Sequence, residues 1–399
     1  MVLPFPGSEQ PTVGVEIELQ IIDPKTRQLA PMSEKILERC RQRGIDRVKA
    51  EIHTSMFEIE TPICEVVSDC YRELDFRIKA VSAVAKELGL EIMMAGTHPF
   101  GHWSNSQMYP HERFAYVSDK FRWLAKRVTV YGMHVHVAVP DGEQALAIAN
   151  SSLPYLPLLL ALSANSPYWQ GLDTGLDTCR LGIMNAFPYS GIPKYFLNWE
   201  KFSEYLETLI DANAISSLKD IYWHVRPNLE FGTVEFRICD VPPTLSEICA
   251  LVAFIHNLVL WLMKDVKQHP EHRAEIQERY WFAPENQWMA QRDGLEGMII
   301  LDKGEARRSI KQEVLRVYGK LQKTSAAMQN EEAFSAIKMM LEKGNGAKRQ
   351  RAVYEQTGRM ESVVDALVYE LAHDQPLRVD PDGQVIDREN YAFMKQAVE

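Results

Sequence analysis

Residues 12–22 read Thr12-Val13-Gly14-Val15-Glu16-Ile17-Glu18-Leu19-Gln20-Ile21-Ile22, and the run stops at Asp23-Pro24. Polar and apolar residues alternate through its centre with a period of two. In an extended strand that period places residues i and i+2 on the same side. Glu16 and Glu18 therefore share one face, Val15, Ile17 and Leu19 share the other, and Asp23-Pro24 turns the chain. Two neighbouring carboxylates repel each other and call for a counter-ion. A single pair of this kind has an ordinary alternative, the wet face of an antiparallel strand.

The pattern recurs. Glu58 and Glu60 sit in MFEIETP, His134 and His136 in YGMHVHVAVP, and Glu235 and Arg237 in GTVEFRI. Four such strands describe a sheet with one apolar face and a second, concave face that holds cations, most simply divalent metals carrying a phosphate-bearing substrate. Carboxylate oxygens suit Mg²⁺, which is usually shared between one or two carboxylates and substrate phosphates. Imidazoles suit transition metals and mixed sites. The ordinary reading of one histidine is a hydrogen-bonded core residue, which fits two on one face less well. Glu235 beside Arg237 is the carboxylate-plus-guanidinium pair expected where a phosphoryl group is transferred, or else a same-face ion pair. Arg180 and Arg226 lie in loop-like sequence, and a guanidinium there can clamp a substrate carboxylate with two hydrogen bonds.

Outward from these strands, the spacing predicts helices over 33–43, 69–88, 111–126 and onward from 143. Strands are expected over 91–95 and 128–139, with a hairpin of 228–231 and 233–240 around Gly232. Residues 165–198, rich in Gly, Pro, Asn and aromatics, show no period and read as a functional loop. From Pro243 to about Leu371 the chain reads as mainly helical, followed by a turn-rich tail over 374–390. Gly344 to Arg349 reads as a basic interhelical loop. Strands and helices mix without a βαβ rhythm, so the fold class is α+β with a largely antiparallel sheet.

The chain has 399 residues, 46% of them apolar, enough for a large core. Its formal charge of −10 argues against nucleic-acid and anionic-membrane partners. Six scattered cysteines with no C-x-x-C pair, and no secretory leader pattern, point to a cytoplasmic protein. The apolar run 248–263 is interrupted by His256 and Asn257 and reads as a buried helix. There is no P-loop, no dinucleotide-binding glycine fingerprint and no nucleophile elbow.

Together, VGVEIELQIIDP (13–24), HTSMFEIETPIC (53–64), GTHPFGHW (96–103), YGMHVHVAVPD (131–141), LSANSPYWQGLDTG (162–175), CRLGIMNAFP (179–188) and WHVRPNLEFGTVEFRICDVPPTL (223–245) resemble the carboxylate–amine ligases, or type 2 glutamate–cysteine ligases. The resemblance implies a fold related to glutamine synthetase and the guanidino kinases. Metal and ATP would lie on the concave face of a curved sheet, with helices behind it. It implies one catalytic domain over 1–399, with a mainly helical portion over 266–399. It further implies joining of a carboxylate, usually the γ-carboxylate of glutamate, to an amine such as cysteine, with ATP as co-substrate and Mg²⁺ or Mn²⁺ bound. By position, Glu16, Glu18, Glu58, His134 or His136, and Glu235 match metal-binding places. Arg237 matches the arginine beside the phosphates, and Arg180 and Arg226 match the substrate side. Two departures stand out: Ile17 replaces an acid common in the family, and Glu60 is an extra acid beside Glu58.

Two rival readings are a metal-dependent amidohydrolase, built on His-x-His and carboxylates, and a non-catalytic ligand-sensing relative. A homodimer would suit the apolar content. The amine is left undetermined, because it depends on pocket shape in the irregular loops.

Overall fold

The computed structural model describes residues 2–269, 272–278, 280–301, 307–380, 382–386 and 391. Among them the alternating stretches build a seven-stranded antiparallel sheet. Its strands are β1 (Val13–Ile22), β2 (Val48–Ala50), β3 (Met56–Glu60), β4 (Glu91–Met93), β5 (Met133–Ala138), β6 (Val225–Asn228) and β7 (Thr233–Phe236). They lie in the order β6-β7-β5-β1-β3-β2, with β4 joined to the C-terminal end of β1. The sheet does not close on itself.

Register decides what each face carries. Glu18 lies opposite Glu58, Glu16 lies opposite Glu60 and His134, and His136 lies opposite Glu235. Directly paired residues project to the same side, so the acids, histidines and Arg237 share a face. The other face holds Val15, Ile17, Leu19, Phe57, Ile59, Val135, Val137, Val234 and Phe236, each at most 1% exposed. A slip of one residue would exchange the two sets, and burying each large aliphatic or aromatic side chain is worth about 1.5–3 kcal/mol, so the register is strongly specified.

Helices Val67–Glu87 and Leu245–Gln268 share an apolar core with that face through Leu74, Val81, Ile248, Leu251 and Ile255. The first stops where Gly89 takes φ +71°, a conformation glycine adopts without steric cost. The second opens on Thr244, whose hydroxyl accepts from the Glu247 amide. It is long and apolar enough to cross a bilayer, yet 83% of its most apolar window is packed inside protein. The expected buried helix over 248–263 is therefore present.

Helices Ile310–Ala327, Glu331–Lys343, Gly346–Thr357 and Met360–His373 follow. Arg349, 1% exposed, ties them to the helix behind the sheet. Its Nε donates to Glu370 at 2.7 Å and its Nη2 to both Glu247 oxygens at 2.8 and 2.9 Å. The basic interhelical loop expected over Gly344 to Arg349 is a loop only at 344–345: the helix Gly346–Thr357 has already begun, and Lys348 and Arg349 lie in its first turn. Part of the turn-rich tail expected over 374–390 lies outside the described residues.

Four further expectations need correction. The helix expected over 111–126 is two, Glu112–Phe121 and Trp123–Lys126, broken at Arg122 with φ +52°. The strand expected over 128–139 is only Met133–Ala138. The first hairpin strand is Val225–Asn228, and 229–232 make the turn. Pro227 disguised this strand, because proline reads as a strand breaker unless the strand lies at a sheet edge, as β6 does. Residues 165–198 are not structureless: Tyr168–Trp169 pairs with Leu172–Asp173, Arg180–Met184 is a short helix, and Ser190–Gly191 pairs with Tyr222–Trp223.

Candidate active site

The polar face of the sheet presents two overlapping groups of donors. Ligand atoms of Glu16, Glu58 and His134 lie within 4.8 Å of one another, and so do those of Glu18, Glu51 and Glu58. Glu58 belongs to both. Cross-strand pairing of β1, β3 and β5 supplies five of these six places. The sixth, Glu51, continues the Lys49–Glu51 alternation just past the end of β2.

The electrostatics show crowding. Desolvation and the charges of Glu16, Glu51 and Glu18 push the Glu58 carboxyl well above its ordinary range. Desolvation and Glu18 raise Glu51 to about 8. At Glu16 burial acts in the same direction, but the two histidines outweigh it and hold the carboxyl well below its ordinary value. Glu16 lies 3.0 Å from His134 Nδ1 and 3.4 Å from His136 Nε2. Glu18 accepts from the Gly132 amide. Carboxylates held this close are a donor set for a divalent cation, which would supply the charge that protons otherwise supply.

Arginines face the acids. Glu235, 1% exposed, accepts from Arg226 Nε at 2.9 Å, Arg226 Nη2 at 3.2 Å, Asn228 Nδ2 at 2.9 Å and Arg237 Nη1. Arg226 spends its remaining terminal nitrogen on the Leu218 and Ile221 carbonyls. Arg237 Nη1 also sits 3.5 Å from His134 Nδ1. Arg180 packs so closely over Gly132 that a Cβ there would lie 2.1 Å from its Nη2.

A cavity of about 250 Å³ is lined by both charged sets: Glu16, Glu18, Glu51, Glu58 and His134, together with Arg113, Arg180, Lys219, Arg226 and Arg237. Phe114, Val117, Val130, Met184 and Phe187 make the apolar remainder.

The structure thus brings together Glu16, Glu18, Glu58 and His134 as the strand periods anticipate. Glu60 is turned to the sheet edge, paired with Lys49 and Arg47. His136 lies beside the first donor group but is bonded through Nδ1 to Thr233 at 3.0 Å. Glu235 is outside both groups, its oxygens taken by Arg226, Arg237 and Asn228. Sequence reasoning missed Glu51, Arg113 and Lys219. The period-two continuation Lys49-Ala50-Glu51 was a usable signal for the first. The other two come from a helix and a 3₁₀ turn outside the sheet strands, where no period of two applies, and left none.

The fold is that of the glutamate–cysteine ligases. Across 99% of this chain and 92% of the other, it is similar to the Francisella tularensis glutamate–cysteine ligase crystallised with AMP, with TM-score 0.67 at 11% identity. It is also similar to the bifunctional glutathione synthetase of Pasteurella multocida, TM-score 0.64 at 17% identity, covering 92% of this chain and 53% of that longer one. Residues 12–366 match the glutamate–cysteine ligase family 2 (GCS2), and the chain belongs to that family. A Gloeobacter violaceus protein named as a candidate glutamate–cysteine ligase 2 is 38% identical over 93% of this chain and its own full length. A Bdellovibrio bacteriovorus protein named in the same way is 36% identical over 92% of this chain and 96% of its own. The protein is accordingly a ligase, which sets aside the hydrolase and ligand-sensor readings.

Proposed function

We propose that this ligase activates the γ-carboxylate of glutamate with ATP and joins it to the amine of a small amino acid such as cysteine. The observation that carries this reading is one cavity lined by both a cluster of carboxylates and a set of guanidiniums. A carboxylate is a poor electrophile. Transfer of the γ-phosphoryl group to one of its oxygens breaks the bond to ADP and makes an acyl phosphate. The amine then attacks the acyl carbon, phosphate leaves, and the amine surrenders a proton.

Glu16, Glu58 and His134 would hold one divalent cation and Glu18, Glu51 and Glu58 a second. When bound, Mg²⁺ or Mn²⁺ offsets the charge of the phosphate oxygens. Arg237 is placed to stabilise the phosphoryl group in flight, because Glu235 fixes its guanidinium without leaving the cavity wall. Glu235 thus serves here as the anchor of two arginines, not as a metal ligand. Arg180 and Arg113 are placed for substrate carboxylates, while Arg226 acts mainly by holding Glu235. Phe114, Val117, Met184 and Phe187 exclude water from the reactive acyl phosphate. The six cysteines are all buried thiols, which fits a reducing cytoplasm.

Hydroxylamine tests the proposal. With ATP, Mg²⁺ and glutamate it should yield γ-glutamyl hydroxamate and ADP in equal amounts, and Glu58→Gln should abolish both. If glutamate fails to stimulate ADP release under these conditions, the carboxylate is not glutamate and the reading falls.

A further inference from the structure

Arg180 is a buried cation whose hydrogen bonds are few and long. Its side chain is 6% exposed, and its Nη1 and Nη2 reach only the Ile238 and Arg237 carbonyls, each at 3.3 Å. Its Nε has no hydrogen-bond partner among the described residues. Among the described residues its one ion-pair partner is Asp240, which stands 3.9 Å from Nη1, beyond a hydrogen bond.

Asp240 is itself fully buried and its oxygens are occupied. Oδ2 accepts from the Asn165 amide at 2.9 Å and the Ser166 hydroxyl at 2.7 Å, and Oδ1 accepts from the Thr178 hydroxyl at 2.9 Å. One carboxylate therefore joins both ends of the segment from Asn165 to Thr178 and delivers the chain to Arg180. Gly96 closes behind it: a Cβ there would lie 2.5 Å from Asp240 Cγ, so the carboxylate has no room to retreat.

We infer that Asp240 is a positioning residue, which sets Arg180 over the cavity while leaving its guanidinium donors free for a substrate carboxylate. Asp240 touches no substrate and acts through Arg180, so the inference rests on Arg180 facing the glutamate carboxylate, as proposed above. A shared hydrogen bond between the two would hold Arg180 equally well but would occupy the donors the anion needs. Spending the carboxylate on three neutral donors separates the two tasks.

The test is kinetic, on the full chain. Asp240→Asn keeps the shape but turns one acceptor into a donor, and Thr178→Val removes a single donor more gently. Both should raise the KM for glutamate, Asp240→Asn by about tenfold or more, with the KM for ATP changed less than about twofold. Methylguanidinium should restore activity to Arg180→Ala and fail to do so in Arg180→Ala/Asp240→Asn. If both single variants lower the melting temperature but leave the glutamate KM and the methylguanidinium rescue intact, Asp240 is only structural and the inference is overturned. If Arg180→Ala itself leaves the glutamate KM unchanged, the assignment of Arg180 fails first, and this inference with it.

Discussion

At the scale of single residues, the site is a problem of too many carboxylates. Glu51, raised to about 8, holds a proton at neutral pH that a divalent cation would have to displace, and Glu58 is raised in the same direction by desolvation and its acidic neighbours. Affinity for Mg²⁺ should therefore tighten steadily as pH rises from about 6 to about 8. Isothermal titration across that range should show proton release on binding. Glu51→Gln should bind Mg²⁺ more weakly at pH 8 and with a flatter pH profile; an unchanged profile would remove Glu51 from the site. The acids of β1 and β3 were legible because a strand broadcasts its faces with a period of two. Glu51 stood just past a strand of three residues and escaped for that reason; Arg226 was singled out, but the proline beside it hid the strand that carries it.

At the scale of elements, the sheet was readable and the segment 165–198 was not. Its pieces are two to five residues long, too short for any period to show. They are held by tertiary contacts instead: Asp240 at both ends of 165–178, and Arg351, which reaches Asp173 at 3.0 Å and Asp177 at 2.6 Å. Gly132, just before β5, is where this segment meets the sheet. Gly132→Ala would set a methyl group against Arg180 Nη2. We expect kcat/KM to drop by about ten- to a hundredfold with the fold retained, as circular dichroism and steady-state kinetics would show. Activity within about twofold of the parent would mean that Arg180 moves aside without consequence.

At the scale of the whole molecule, two features govern stability. Arg349 joins the C-terminal helices to the helix behind the sheet through Glu247 and Glu370, and all three side chains are at most 2% exposed. Arg349→Met strands two buried carboxylates and should cost about 3–5 kcal/mol by urea unfolding, whereas exchanging all three for apolar residues of similar volume should cost far less. Nothing in the sequence pairs residues 247, 349 and 370, so this tie was invisible before the fold was known. The second feature is a set of buried neutral histidines. Burial lowers His53 and His98 to about 4 and His224 to about 3. Because these values lie below the unfolded pKa of about 6.5, the unfolded chain takes up protons first, and stability should fall as pH drops from about 6.5 toward 4. The measurement belongs in saturating Mg²⁺, since without bound cation the raised carboxyl of Glu51 has the opposite sign between about 4.5 and 8. A urea midpoint constant from pH 7 to 5 would contradict it.

The staking of residues 165–178 has a consequence for anyone who would redirect this enzyme. Beyond the last stake the same segment supplies Met184 and Phe187, apolar side chains that line the cavity without belonging to either charged set. The chain thus divides into a stretch that must stay still and a stretch that is free to change. Libraries confined to 184 and 187 would sample new amine acceptors on an undisturbed phosphoryl-transfer centre, whereas the same diversity at 165–178 would be spent mostly on broken anchors.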